Sequence, residues 1–180
     1  MKDIITREIA KLKSEIERFF EKDEVSLDIA EVYFTQRIGE TVRGLLTACY
    51  EQKDAELLAD KVKRKEAGLV VERRGDVRQV VTQLGAVSYH RTYYTSHSGG
   101  YCYPIDQVVG LESYQRVSSG VSLGLVDSAR EMSYAKASRV VTGGQVSKQT
   151  VMQKIREARP SVEPVLRQKA VVLHVDADED

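Results

Sequence analysis

The sequence has no tryptophan, three prolines, two cysteines and no surplus of either charge, with 27 Lys and Arg against 27 Asp and Glu over 180 residues. Each shortage excludes something. Cys49 and Cys102 make no disulfide framework, so a reducing cytosol is the expected compartment. The longest unbroken apolar run, Ala170 to Leu173, falls far short of the roughly 20 residues that a membrane-spanning helix needs. The opening MKDIITREIAKLK is charged throughout and lacks the apolar centre of a secretory signal. With so little proline, only 12 glycines, 30% charged and 42% apolar residues, the chain is no low-complexity tail and has material for a core. Its length fits one ordinary domain or two small ones.

The zero net charge is an average over unlike segments. Residues 1–60 carry −5, residues 61–99 carry +5, residues 100–132 carry −2, residues 133–169 carry +6 and the last eleven carry −4. Two basic blocks therefore cancel acidic ends, which points to separate tasks along the chain.

Ile5, Ile9, Leu12, Ile16 and Phe19 recur at spacings of four and three, the seam of an amphipathic helix over roughly residues 2–22. Ser26 is placed to cap a second helix, with Asp28 in its first turn. Ile38, Val42, Leu45 and Cys49 continue the seam, and Leu58 and Val62 carry it to the basic cluster. Two long seamed helices predict a helical hairpin or a dimerising coil. At Gly68 the period changes to two. Val70-Val71, Val80-Val81 and Val87, Tyr89, Arg91, Tyr93 predict a small antiparallel sheet over roughly residues 69–103, with turns at Leu84-Gly85 and Ser98-Gly99-Gly100 and an end at Pro104.

Helical spacing then returns. Val121, Leu125, Ala129 and Met132 share a face, a short helix follows from Tyr134 to Val141, and another runs from Ser147 towards Arg159, where Pro160 stops it. The β-branched run Ala170 to Val175 reads as a buried strand. The fold class expected is α+β. Its regions are long helices over 1–67, a basic β-hairpin region over 68–110, a helical region with a helix-turn-helix-like pair over 111–168, and a strand opening a further domain over 169–180.

Three groups of residues could carry chemistry. In VSKQTVMQKIREA, Val151 and Ile155 face a core while Lys148, Gln149, Gln153 and Arg156 project outward. Gln can read adenine in the major groove, and Lys or Arg can read guanine or grip phosphate. Lys136 and Arg139 add positive charge on the preceding helix. Ala137 and Gly143 lie six apart rather than the four of a tight helix-turn-helix, so this turn is longer. The bland alternative is an amphipathic helix pair with a solvated basic face. The second group interleaves Arg73, Arg74, Arg78 and Arg91 with Tyr93 and Tyr94, a mixture that binds phosphates and stacks on bases. Its alternative is a two-faced sheet with tyrosines over a small core and arginines in water.

The third group is the acidic end. On a strand, Asp176, Asp178 and Asp180 point to one side and Glu179 to the other. Carboxylates ending a buried strand can place Mg²⁺ or Mn²⁺ for phosphoryl transfer, against the alternatives of a calcium loop or a solvated tail. His90, His97 and Cys102 lack the paired-cysteine spacing of a zinc site.

Taken in order, VVTQLGAVSYHRTYY, PIDQVVGLESYQRVSSGV, REMSYAKASRVV, VSKQTV and VVLHVDADED resemble the bacterial insertion-sequence transposases of the ISLre-two type, a group also catalogued as an uncharacterised protein family. The resemblance covers nearly the whole chain and is most specific from about residue 77 onward, in GLESYQR, SYAKAS and the Asp-rich strand end. It implies a DNA-binding front followed by an RNase-H-like catalytic domain with an Asp-Asp-Glu metal triad. Asp178 is then the first choice for the first catalytic and metal-binding carboxylate, Asp176 the second, and Mg²⁺ or Mn²⁺ the cofactor. The other triad members would lie beyond residue 180, leaving the chain catalytically incomplete. The partners implied are double-stranded DNA at element ends and a second copy of the chain, with no membrane. The rivals are a non-enzymatic DNA-binding regulator, an inactive transposase remnant, or a purely structural coiled coil.

Overall fold

The computed structural model describes residues 2–21, 25–97 and 99–158. Two helices form where the seam predicts them, α1 (Lys2–Phe20) and α2 (Leu27–Ala59). The Ser26 hydroxyl accepts the Ile29 N–H at 3.3 Å and so caps α2. The seam closes at one end only. Phe19 is buried against Tyr33 and Phe34, with ring centroids 4.4 and 5.0 Å away. Ile9 and Ile38, which the spacing placed on the seam, are instead more than half exposed. The expected continuation through Leu58 to Val62 breaks at Asp60. That residue ends α2 and opens α3 (Lys61–Glu66), its carboxylate accepting the Lys63 N–H at 3.0 Å.

A three-stranded antiparallel sheet follows, β1 (Leu69–Thr82), β2 (Gly85–Ser96) and β3 (Tyr101–Cys102), in the order β1-β2-β3. The β1–β2 turn is two residues long, with Thr82 paired to Gly85 and Gly85 at φ +100°, a backbone region that glycine enters without a Cβ clash. Val80, Val87, Tyr89 and Tyr94 turn inward and are buried.

Among the described residues β3 pairs only with Tyr94 and Thr95, so it does not reach the stretch of β2 between Ser88 and Thr92. Helix α2 covers that edge with polar side chains. Thr47 donates its hydroxyl to the Ser88 carbonyl at 2.8 Å, Glu51 accepts the His90 N–H at 3.0 Å, and Asp54 accepts the Thr92 N–H at 3.1 Å. Positions 47, 51 and 54 lie on one helix face, so the helix stands in for a fourth strand and satisfies backbone groups that would otherwise be open.

Pro104 ends the sheet and also occupies the first turn of α4 (Pro104–Val108), where its missing N–H costs nothing. The chain then adds α5 (Ser119–Ser128), α6 (Tyr134–Thr142) and α7 (Lys148–Glu157), capped by Ser118, Ser133 and Ser147. Val117, Val121, Leu125, Val146 and Val151 form their shared core, with Ile155 packed against it. Helix α7 has ten residues, fewer than the ~12–15 that an isolated helix needs even to be marginal, so it depends on this burial. Each such side chain contributes about 1.5–3 kcal/mol. The unit joins the sheet through Val81, whose N–H donates to Arg116 O and whose carbonyl accepts from Ser118 N–H, both at 2.9 Å. The architecture is α+β. Among the described residues no helix is long and apolar enough to cross a membrane. The strand expected at Ala170 to Val175 lies outside the described residues.

Candidate nucleic-acid interface

Helices α6 and α7 are fastened where they meet. The buried Ser138 hydroxyl donates to the Val146 carbonyl, and Thr142 donates to the Ser138 carbonyl at 2.8 Å. Gly143, at φ +63°, ends α6 in the left-handed conformation that glycine accepts readily. Val151 is fully buried and Ile155 packs beside it, which turns Gln149, Gln153 and Arg156 (spaced four and three) to the opposite side of α7. These three and Lys148 are exposed, as are Lys136 and Arg139 on α6. Gln153 donates to Glu157 at 2.8 Å and Lys154 to the same carboxylate at 2.7 Å. Those bonds, Lys154 first, hold the Glu157 carboxyl below its ordinary range. Neither α6 nor α7 carries an acid in its first turn, and Lys136 and Lys148 stand there instead. Cations at helix N-termini add to the positive end of the dipole, so two first turns with a lysine and no acid are suited to an anion.

The four sheet arginines divide sharply. Arg91 corrects the expectation of a DNA contact: it is buried, paired with Asp106, and stacked 3.5 Å from the Tyr103 ring centroid. Arg78 donates to the carbonyls of Glu112 and Gln115 at 3.0 and 2.6 Å, clamping the loop between them. Arg73 holds Asp76 with two bonds of 2.6 Å and lies 5.0 Å from the Tyr93 ring centroid. Its hydrogen bonds, with a further one from the Tyr103 hydroxyl, lower the Asp76 carboxyl to about 2. Arg74 is exposed and makes no ion pair among the described residues. Tyr94 lies in the core rather than on the arginine surface, and burial raises its hydroxyl pKa.

Two concavities flank these arginines. A groove of about 490 Å³ runs from β1 to the start of α7, bordered by Arg78, Arg116, Gln145, Ser147 and Thr150. It joins the sheet surface to the first turn of α7. A second cavity, of about 410 Å³, opens beside Tyr93, Tyr101, Tyr103 and Tyr114. Tyr114 and Arg116, which line these concavities, lie outside the residues expected from the sequence. The signal was present in GLESYQR, but a residue's φ angle and its distance from a strand cannot be read from letters. Asp176 and Asp178 lie outside the described residues. Among the described residues no group of three or more His, Cys, Asp or Glu could hold a metal ion.

The model of an uncharacterised protein family, UPF0236, matches residues 21–180. The chain belongs to the UPF0236 family. Relatives include the UPF0236 proteins TTE2489 and TTE0402 of Caldanaerobacter subterraneus subsp. tengcongensis, 37% and 36% identical over 150 residues. Each alignment covers 81% of this chain but only 31% and 29% of the relative, so the chain spans about a third of the length of these UPF0236 proteins. No solved structure matches the chain.

Proposed function

We propose that this UPF0236 chain is the duplex-DNA-binding part of a transposase of the insertion-sequence type that its sequence resembles. In this reading α7 enters the major groove, Gln149 and Gln153 read base edges, and Lys148 and Arg156 hold phosphates. Lys136, Arg139 and Arg74 add backbone contacts, while the paired Arg73 and clamped Arg78 contribute to the positive field. The observation that carries the reading is the pair of serine-capped helices α6 and α7, each opening with an exposed lysine and no acid. The groove that runs from β1 past Arg116 to Ser147 supports a single contact surface. Ile9, Val32 and Ile38, 54%, 70% and 51% exposed, support pairing of protomers through the N-terminal helices. Asp178, with Asp176 as second choice, stays a proposed ligand for Mg²⁺ or Mn²⁺ on the resemblance alone.

The test is fluorescence anisotropy with the purified chain and labelled duplex DNA carrying the sequences that border its coding region. Affinity is expected to fall log-linearly with salt, and Lys148→Ala and Arg156→Ala each to lower the slope by about 1. Absence of salt-dependent binding to that duplex and to random duplex alike would sink the proposal.

A further inference from the structure

Tyr114 is the one non-glycine residue with positive φ among those described, at +64°, and its side chain is 91% exposed. A tyrosine accepts that backbone strain only where its surroundings over-determine it, and no packing of its own ring repays it. The surroundings do over-determine it. Arg78 binds the carbonyls on both sides of Ser113-Tyr114, the Glu112 N–H donates to the Gln115 side chain at 3.0 Å, and the Gln115 amide donates to Val117 O at 2.9 Å. The loop is thus a fixed mount that holds an aromatic ring in solvent at the lip of a cavity.

That cavity, about 410 Å³, has the size of a small-ligand site. Tyr101, 64% exposed, lies on it with one ring face stacked on Tyr93 at 5.3 Å and 9°. Its charges can be paired off: Arg73 with Asp76, and Arg91 with Asp106. Arg78 remains, bound to neutral carbonyls and, among the described residues, with its buried Nε unpartnered. The site therefore offers aromatic faces, one unbalanced positive charge and, in Gln107, an exposed amide able to bond a base edge. Flat aromatic surface with one negative charge describes a single nucleotide.

We infer that this cavity captures one unpaired nucleotide of a DNA strand, its base against Tyr114 and Tyr101 and its phosphate facing Arg78. The inference rests on the DNA-binding reading and adds to it: the substrate is DNA with a locally unstacked base, not a uniform duplex. Extruding a base costs less where it is already unpaired, so a bulge or strand end is the preferred ligand.

The test compares a duplex with the same duplex carrying one extra unpaired 2-aminopurine, using the full chain. The bulged duplex is expected to bind roughly tenfold tighter, with the aminopurine emission quenched by stacking. Tyr114→Ala brings the two affinities to within twofold of each other and restores the emission, whereas Tyr114→Phe keeps both effects. Tyr114→Gly is the control for folding. Glycine accepts the positive φ, so this variant folds at least as well yet loses the preference. Salt-dependent binding of both duplexes with equal affinity, or an unchanged preference in Tyr114→Gly, overturns the cavity inference and leaves the duplex reading standing. Failure to bind either DNA overturns both.

Discussion

Asp54 on α2 grips Thr92 on β2 with both carboxylate oxygens. Oδ1 accepts the Thr92 N–H at 3.1 Å and Oδ2 accepts its hydroxyl at 2.6 Å, and both residues are buried. This is the innermost of the contacts by which a helix closes the edge of a sheet. Replacing Asp54 with alanine strands a backbone donor and a hydroxyl in the interior. The expected loss is about 2–4 kcal/mol, read from urea unfolding at neutral pH. Asp54→Asn keeps an acceptor and is expected to lose less. Equal stability of Asp54→Ala and the parent would show that the edge is not closed by this contact.

Asp106 is the hub of a second buried network. It accepts from Arg91 and, at 2.9 Å, from the Tyr89 hydroxyl, whose pKa is raised by burial and then by this carboxylate. Removing one partner leaves the other charge buried alone. Asp106→Ala is therefore expected to cost about 3–5 kcal/mol, and the double change Arg91→Met with Asp106→Leu much less. A double variant as unstable as the single one would show that the pair is worth more than the apolar packing that replaces it. The same denaturation series separates Arg91 from the residues proposed to contact DNA, since Arg91 is expected to act through the fold alone.

Asp76 gives a pH signature. Its folded carboxyl lies near 2, chiefly because Arg73 donates to it and then because Tyr103 does. The unfolded value is about 3.9, so the group stabilises the fold above about pH 4. That contribution is lost as pH falls from about 4 towards 2, and it is small because Arg73 is largely solvated. In carboxyl NMR the Asp76 midpoint is expected near 2 in the parent and to rise in Arg73→Gln, where the Tyr103 hydroxyl still holds it below the ordinary carboxylate value. A parent midpoint near 4 would contradict the paired geometry.

Much of the fold was legible because its signals are local. Ser26 caps α2 and Ser147 caps α7 through bonds to residues three positions on. The alternation around Tyr89 and the turn at Leu84-Gly85 likewise need only a few neighbouring residues. The apolar seam of α2 is not the face that meets the sheet. Its useful face near the sheet is polar, because Thr47, Glu51 and Asp54 serve backbone groups some 40 positions away.

The candidate site divides along the same line. By itself the sequence determined where the positive charge lies, which residues of α7 face outward from Val151 and Ile155, and that zero net charge conceals two basic blocks. Only the tertiary structure decided which arginines are free. Arg74, Arg78 and Arg91 are alike as letters, but one is exposed, one clamps a loop and one is buried on Asp106. The reason is physical: a helix face or a cap is settled by bonds spanning three or four residues, whereas a guanidinium's partner is whatever the fold carries to it. Asp106, fifteen positions from Arg91, and the loop carrying Tyr114 reach these arginines only once the sheet has closed.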